Sequence, residues 1–232
     1  MKHLFRFFGT KEESWKVQPS EIEHMIHVLR MGEGDRFEIM DGKGKIASAI
    51  CFKVTKKTLD FMVDEEIEEP KPPRQLELAV GALRPSTYEE MIPPLVELGL
   101  NKLYIFGQDF VNKERLNEKV KDRFHRLAIT AAKQSKSAWL PEMIFAESLD
   151  ETLKLFQCEP ICLLPGSKLS LFEVVMTNQG SAGFIIGGEK GFSDREELLL
   201  SNYKKATLGP QVLRAWTAAV AATAVFASKY HT

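Results

Sequence analysis

The sequence contains no hydrophobic run of the length that crosses a membrane. A transmembrane helix needs about 20 consecutive apolar residues. The nearest approach, VLRAWTAAVAATAVFA, contains Arg214 and is rich in alanine, which favours a packed helix. The first residues, MKHLFRFFGTKEESWK, also lack the apolar core and small-residue cleavage site of a signal peptide. We therefore expect a cytoplasmic protein.

The chain also has few cysteines and almost no net charge. The three cysteines, Cys51, Cys158 and Cys162, cannot all pair with one another, and the Cys158–Cys162 pair has no companion Cys or His at zinc-ligand spacing. We expect core thiols and no metal. A net charge of −1 argues against a non-specific coat for nucleic acid.

The glycine-rich stretch FIIGGEKGFSDREELLL, residues 184–200, matches neither common phosphate-binding motif. It lacks the spacing G-x-G-x-x-G and the Walker A pattern. Glu189 would repel a phosphate at a helix N-terminus, whereas a carboxylate suits a ligand with hydroxyls, an amine or a positive centre. An ordinary turn with strained glycines remains the alternative.

Prolines 70, 72 and 73 divide the chain, because proline continues neither a strand ladder nor a helix. Before them, alternating runs such as RFEIM and KIASAICFKV predict a small β-barrel or sheet. The segment PSEIEHMIHVLRMG predicts one helix, with Ser20 as its N-cap. After the prolines, apolar runs alternate with amphipathic segments, which predicts an α/β domain with a parallel sheet.

Local signals within the second half predict helix boundaries. Ser193 and Glu196 form a capping-box pattern, and Pro210 lies near the expected first position of the last helix. Pro93 and Pro94 are expected to interrupt a helix and start a new turn. Three loops, LLPGS, IIGGEKG and LGPQ, follow predicted strands and should converge on one pocket.

Two late motifs carry a family resemblance. They are Gly187-x-Glu189-x-Gly191-Phe192-Ser193 and Leu208-Gly209-x-x-Val212-Leu213-Arg214-x-x-Thr217-Ala218. Together they resemble the C-terminal motifs of the ribosomal RNA small subunit methyltransferase E family, SPOUT-class enzymes that methylate N3 of a uridine in 16S rRNA. Weaker matches cover nearly the whole chain: Arg6-Phe7, His24-x-x-x-Val28-Leu29-Arg30, Gly34-Asp35, Asp41-Gly42-x-Gly44, Glu97-Leu98-Gly99, and Gln134-Ser135 with Pro141.

The resemblance implies an architecture and a set of partners. Residues 1–70 would form a PUA-like β-barrel that binds RNA, and residues 71–232 a SPOUT domain whose parallel sheet carries a trefoil knot. The knot would bind S-adenosylmethionine. The protein would act as a homodimer on small-subunit rRNA or on the assembled 30S subunit, without a metal or a membrane.

The resemblance also implies roles for particular residues. Arg214 would stabilise the anion that develops at N3, and Glu189 would hold a ligand hydroxyl or position Arg214; a purely structural role for either stays open. Arg6 and Arg30 would contact phosphate and His24 the RNA, although helical histidines are often structural. The implied cofactor-binding residues are Leu164, Ile186, Gly187, Gly188, Gly191, Leu208, Gly209, Val212, Leu213 and Thr217.

Several polar positions depart from the usual family pattern. They are Pro94, Lys133, Ser137, Gly188, Lys190, Gln211 and Trp216. Trp216 replaces a glutamate and either reshapes the pocket floor or packs in a dimer core. The departures leave two other functions open: a SPOUT-fold protein that binds RNA or cofactor without catalysis, and a methyltransferase with a different RNA target.

Overall fold

The computed structural model describes residues 4–109 and 116–230, and the chain divides into two compact units. The first unit contains residues 1–71 and 129–140. The second contains residues 72–128 and 141–232. Within the described ranges no helix is both long enough and apolar enough to span a bilayer.

The first unit is built on a five-stranded sheet. Its strands are β1 (Arg6–Lys11), β2 (Trp15–Val17), β3 (Arg36–Met40), β4 (Lys45–Val54) and β5 (Leu59–Glu68). They lie in the order β2-β1-β3-β4-β5, and every neighbouring pair is antiparallel except β1 and β3. The expected small β structure is confirmed, and Phe37 stacks edge-to-face between Phe7 and Phe61 in its core.

The helical segment of the first unit begins differently from the prediction. Helix α1 (Pro19–Glu23) continues as a π-helical turn over His24–Val28. The assignment of Ser20 as N-cap is wrong, because Gln18 is the cap and Pro19 takes the first helical position. Proline suits that position since its missing N–H has no partner there. The residues that pack on the core are Ile22, Met25, Ile26 and Leu29.

The second unit contains a six-stranded, wholly parallel sheet. Its strands are β6 (Leu76–Gly81), β7 (Lys102–Phe106), β8 (Glu142–Ala146), β9 (Pro160–Leu163), β10 (Ala182–Ile186) and β11 (Lys205–Ala206). The predicted α/β class is confirmed. Strand β8 was not predicted, because it is an edge strand in which only Ala146 is buried, and its apolar run is short.

The remaining helices correct one prediction about proline. They are α2 (Pro85–Glu97), α3 (Glu118–Ser135), α4 (Leu149–Leu155), α5 (Leu171–Thr177), α6 (Asp194–Leu199) and α7 (Ala215–Tyr230). The expected interruption at Pro93 and Pro94 is wrong, since both lie inside the continuous helix α2. Each proline removes one helical hydrogen bond, but the helix buries Tyr88, Met91, Ile92, Leu95 and Val96, and this packing outweighs the loss.

The start of α7 corrects another prediction. The helix begins at Ala215, so Pro210 is not near its first position. Residues 207–214 instead form a loop after β11, in which the Thr207 Oγ1 hydroxyl donates to the Gly209 carbonyl at 2.8 Å. This loop is available to line a ligand site.

The C-terminal helix is fixed by one lysine near its end. Lys229 Nζ donates to the carbonyls of Val175 (2.8 Å) and Met176 (2.9 Å) and also to that of Asn178. These carbonyls lie at the end of α5, where a cation provides hydrogen-bond donors to the carbonyls of the last turn and interacts favourably with the helix dipole.

We predict that Lys229→Met lowers the stability of the protein by about 2 kcal/mol, because a charged hydrogen-bond donor is lost while the apolar stem remains. Urea unfolding followed by circular dichroism measures the change. Lys204→Met, at an exposed lysine of the same unit, is the control. Equal midpoints for the two variants would contradict this role for Lys229.

Candidate active site

A cavity of about 650 Å³ lies at one edge of the parallel sheet. The sheet order β11-β9-β10-β6-β7-β8 places the first three strands of the unit on one side of the β6–β10 boundary and the last three on the other. Ligands of such sheets bind outside the carboxyl ends of the strands, at this reversal. Segments that follow β6, β9, β10 and β11 line the cavity, so the structure joins the three loops that the sequence analysis placed in one pocket.

Most residues with predicted catalytic or cofactor roles line this cavity. They are Leu164, Ile186, Gly187, Gly188, Glu189, Gly191, Leu208, Val212, Leu213 and Arg214. Gly209 and Thr217 are not among the lining residues. The geometry therefore groups these side chains at one site, while their individual roles stay predictions.

The further residues that line the cavity include four polar or aromatic ones to which the sequence analysis gave no binding role. Arg84 and Glu90 come from the loop after β6 and the start of α2. Gln211 lies in the β11–α7 loop, and Trp216 lies in the first turn of α7. The sequence analysis named both only as departures from the usual family pattern. The available signal for Arg84 was its position just beyond a predicted strand, at the edge where ligands bind.

Four charged side chains line the cavity, and all four are exposed. They are Arg84, Arg214, Glu90 and Glu189. Within residues 4–109 and 116–230, none of these four side chains has a hydrogen-bonded or ion-paired partner. Two cations and two carboxylates are thus available to a ligand that carries both charges.

The turn after β10 requires glycine, because other backbone atoms lie very close to its Cα atoms. A Cβ on Gly187 would lie 2.9 Å from the carbonyl carbon of Gly191, and Gly191 has a left-handed φ of +74°. A Cβ on Gly188 would lie 2.5 Å from the carbonyl oxygen of Ala82. Side chains at these positions would collide or strain the turn, so the turn presents bare backbone to the cavity.

The predicted capping box at the start of α6 is confirmed. The Glu196 N–H donates to Ser193 Oγ at 3.1 Å, and the Ser193 N–H donates to Glu196 Oε2 at 2.9 Å. Ser193 Oγ in turn donates to Asp109, which also pairs with Arg195. The Arg195 guanidinium and, to a smaller extent, the Ser193 hydroxyl lower the pKa of Asp109. This network fixes the segment that follows the glycine turn.

Gln108, in the loop after β7, is a buried residue of this region that the sequence analysis missed. Its amide contacts both ends of the glycine turn: the Gly188 N–H donates to Oε1 at 2.9 Å, and Nε2 donates to the Gly191 carbonyl at 2.8 Å. No local pattern identifies it, because its partners are about 80 residues away in the chain.

The three predicted RNA-binding residues lie in the first unit, in different environments. The Arg6 side chain is only 6% exposed; Nε donates to Glu38 at 2.9 Å and a guanidinium N–H to the Lys136 carbonyl at 2.6 Å. This burial favours a structural role for Arg6. His24 and Arg30 are exposed, so the structure leaves them accessible to RNA.

Two departures from the family pattern have partners within the first unit. Lys133 Nζ forms an ion pair with Glu21 at 2.5 Å. Ser137 Oγ donates to the Trp139 carbonyl at 2.8 Å and accepts the Trp139 N–H at 3.2 Å. Both polar groups therefore have an ion-pair or hydrogen-bond partner within the first unit.

The parallel sheet and its switch-point cavity define an α/β protein with a ligand site at the strand carboxyl ends. The family model of the RNA methyltransferase domain matches residues 70–227, and that of the RNA methyltransferase PUA domain matches residues 17–63. The first match covers well over half of the sequence. The chain belongs to the RNA methyltransferase domain family.

Curated relatives and solved structures agree with this assignment. The chain is 29% identical to ribosomal RNA small subunit methyltransferase E 1 of Borreliella burgdorferi, over 92% of both chains. It is 27% identical to ribosomal RNA small subunit methyltransferase E of Synechocystis, over 92% of this chain and 72% of that protein.

The fold is shared with structures at lower identity. A probable rRNA-methyltransferase from Porphyromonas gingivalis superposes with a TM-score of 0.86 at 23% identity, over 98% of this chain and 99% of the other. The S-adenosyl methionine complex of ribosomal RNA small subunit methyltransferase E from Neisseria gonorrhoeae gives 0.81 at 21% identity, over 98% of both chains.

The Arg6–Glu38–Lys136 cluster predicts a pH dependence of stability. Burial alone would raise the pKa of Glu38, but hydrogen bonds and charge from Lys136 and Arg6 outweigh it and lower the pKa below 4.5. A lowered carboxyl pKa stabilises the folded state above the unfolded-state pKa, and the gain is lost as the pH falls through the folded-state value.

We predict that Glu38→Gln lowers the melting temperature near neutral pH and that the difference from wild type shrinks below about pH 4.5. Thermal unfolding across this pH range measures it, with the exposed Glu23→Gln as control. A difference that persists unchanged in acid would exclude the charge of Glu38 as its source.

Proposed function

We propose that this protein is an S-adenosylmethionine-dependent RNA methyltransferase that methylates N3 of a uridine in 16S rRNA. The observation that carries the proposal is the switch-point cavity, where bare glycine backbone and the unpaired Arg214 line one site. Membership of the RNA methyltransferase domain family and the similarity to small-subunit rRNA methyltransferases support the same reaction.

The cavity fits the cofactor in size and in chemistry. Its volume of about 650 Å³ lies within the range of small-molecule sites. Leu164, Ile186 and Val212 supply apolar walls for an adenine ring, and the backbone of the glycine turn supplies donors and acceptors. The carboxylates of Glu90 and Glu189 suit ribose hydroxyls, an amine or a positive sulfur.

When bound, S-adenosylmethionine supplies a methyl group on a positively charged sulfur. The residues of the chain have to position the uridine N3 in line with that methyl carbon and exclude water. N3 loses its proton in the reaction, and Arg214 stabilises the negative charge that develops on the uracil ring. A guanidinium cannot act as the base, so the role of Arg214 is electrostatic.

The two predicted domains divide this task. Residues 1–70 bind RNA through His24 and Arg30, and residues 71–232 form the knotted methyltransferase domain. Exposed apolar side chains at Leu169, Phe172 and Val212 support a homodimer. The substrate is small-subunit rRNA, free or in the 30S subunit, which places the protein in the cytoplasm.

Two measurements test the proposal. Isothermal titration with S-adenosylmethionine and S-adenosylhomocysteine should show one site per subunit. Reverse transcription of 16S rRNA from a deletion strain should then lose one stop, because N3 methylation blocks the pairing edge of uracil. Binding without any methylated nucleotide would favour the non-catalytic alternative, and a lost stop in another RNA would redirect the target.

We predict that Arg214→Ala reduces the rate of methyl transfer by about 100- to 1000-fold, the usual effect of removing one group that stabilises developing charge. Affinity for S-adenosylhomocysteine should change little, and Arg214→Lys should restore part of the rate. Single-turnover transfer of labelled methyl groups measures this. Unchanged turnover in Arg214→Ala would remove Arg214 from the mechanism.

A further inference from the structure

The amide of Gln108 lies between Gly81 and Gly188, at the carboxyl end of the parallel sheet. A Cβ added to Gly81, at the end of β6, would lie 2.5 Å from Gln108 Oε1. A Cβ added to Gly188, just beyond β10, would lie 2.2 Å from the same oxygen. The amide therefore occupies space that exists only because Gly81 ends β6 and Gly188 follows β10.

The backbone partners fix the orientation of this amide. The Gly188 N–H can only donate, so it selects the oxygen of Gln108; the Gly191 carbonyl can only accept, so it selects the nitrogen. Reversal of the amide would break both bonds at once. Gln108 thus bridges the two ends of the turn as a donor and an acceptor together.

A buried carboxylate completes the arrangement. Gln108 Nε2 also lies 3.3 Å from Glu196 Oε2, which accepts the Ser193 N–H of the capping box. Glu196 is fully buried, and its other oxygen has no hydrogen-bond partner in the described part of the chain. Ser193 also donates through Oγ to Asp109, which forms an ion pair with Arg195. The Gln108 nitrogen therefore lies between two acceptors.

We propose that Gln108 is a positioning residue, which holds the Gly187–Gly191 turn in the form that binds S-adenosylmethionine. The inference rests on the proposed function, because its effect is expressed through the cofactor. The turn lines the cavity with backbone, and Gln108 satisfies one donor and one acceptor of that backbone from behind. Without this bridge the turn loses its shape and the cavity loses a wall.

Gln108→Glu gives the sharpest test, because its effect depends on pH. An ionised carboxylate accepts from the Gly188 N–H but cannot donate to the Gly191 carbonyl, and it faces the like charge of Glu196. A protonated carboxyl group can accept from the Gly188 N–H and donate its one proton to the Gly191 carbonyl, which restores both hydrogen bonds to the turn. Like-charge repulsion and burial favour this protonated form, so acidification should restore the bridge.

The experiment measures the affinity of S-adenosylhomocysteine by isothermal titration between about pH 5.5 and pH 8.5. We expect wild type and the control Gln179→Glu, at an exposed glutamine before β10, to give the same pH profile. Gln108→Glu should bind about ten- to a hundred-fold more weakly at high pH and recover as the pH falls. Gln108→Ala should be weak at every pH.

Each outcome has a distinct meaning. A profile for Gln108→Glu that parallels wild type would overturn the positioning role and leave the proposed function intact. Absence of binding by wild type would overturn both. Weak binding by Gln108→Glu that recovers in acid would establish the role, provided that circular dichroism shows the variant to be folded at every pH, because an ionised carboxylate at a buried position also lowers stability.

Discussion

The candidate site depends on the close approach of the Gln108 amide to Gly81 and Gly188. The carboxyl ends of β6, β7 and β10 meet at this point. Only residues without a Cβ at positions 81 and 188 leave space for the Gln108 amide, and this amide accepts from the N–H and donates to the carbonyl that the turn presents. The turn leads directly into the capping box of α6. A single buried amide therefore bonds both ends of the turn that lines the cavity.

The two units use charge in different ways. In the first unit, Arg6, Glu38 and Lys136 bind one another, and Lys133 binds Glu21; these charges stabilise the unit and are not offered to a ligand. At the cavity of the second unit, the arginines and carboxylates lie exposed without partners in the described chain. Unpaired charge of both signs at a concave site is typical of a binding surface, and this contrast separates structural arginines from candidate catalytic ones.

The departures from the family pattern acquire physical explanations from their surroundings. Lys133 and Ser137 have local partners, and Gly188 admits the Gln108 amide. Gln211 and Trp216 line the cavity, which makes them the departures that a ligand would meet. A neutral amide and an indole in place of charged groups change the recognition surface, while the glycine turn and Arg214 stay at the same site.

The sequence by itself determined the features that depend on neighbouring residues. Alternating apolar runs indicated the small β sheet, buried runs the parallel sheet, and the Ser193–Glu196 spacing the helix start, because each pattern reflects periodicity or a hydrogen bond within a few residues. Tertiary structure decided the edge strand β8, the unbroken helix α2, the burial of Arg6 and the place of Gln108. Each of these depends on packing or hydrogen bonds between segments far apart in the chain, and a local pattern carries no record of such contacts.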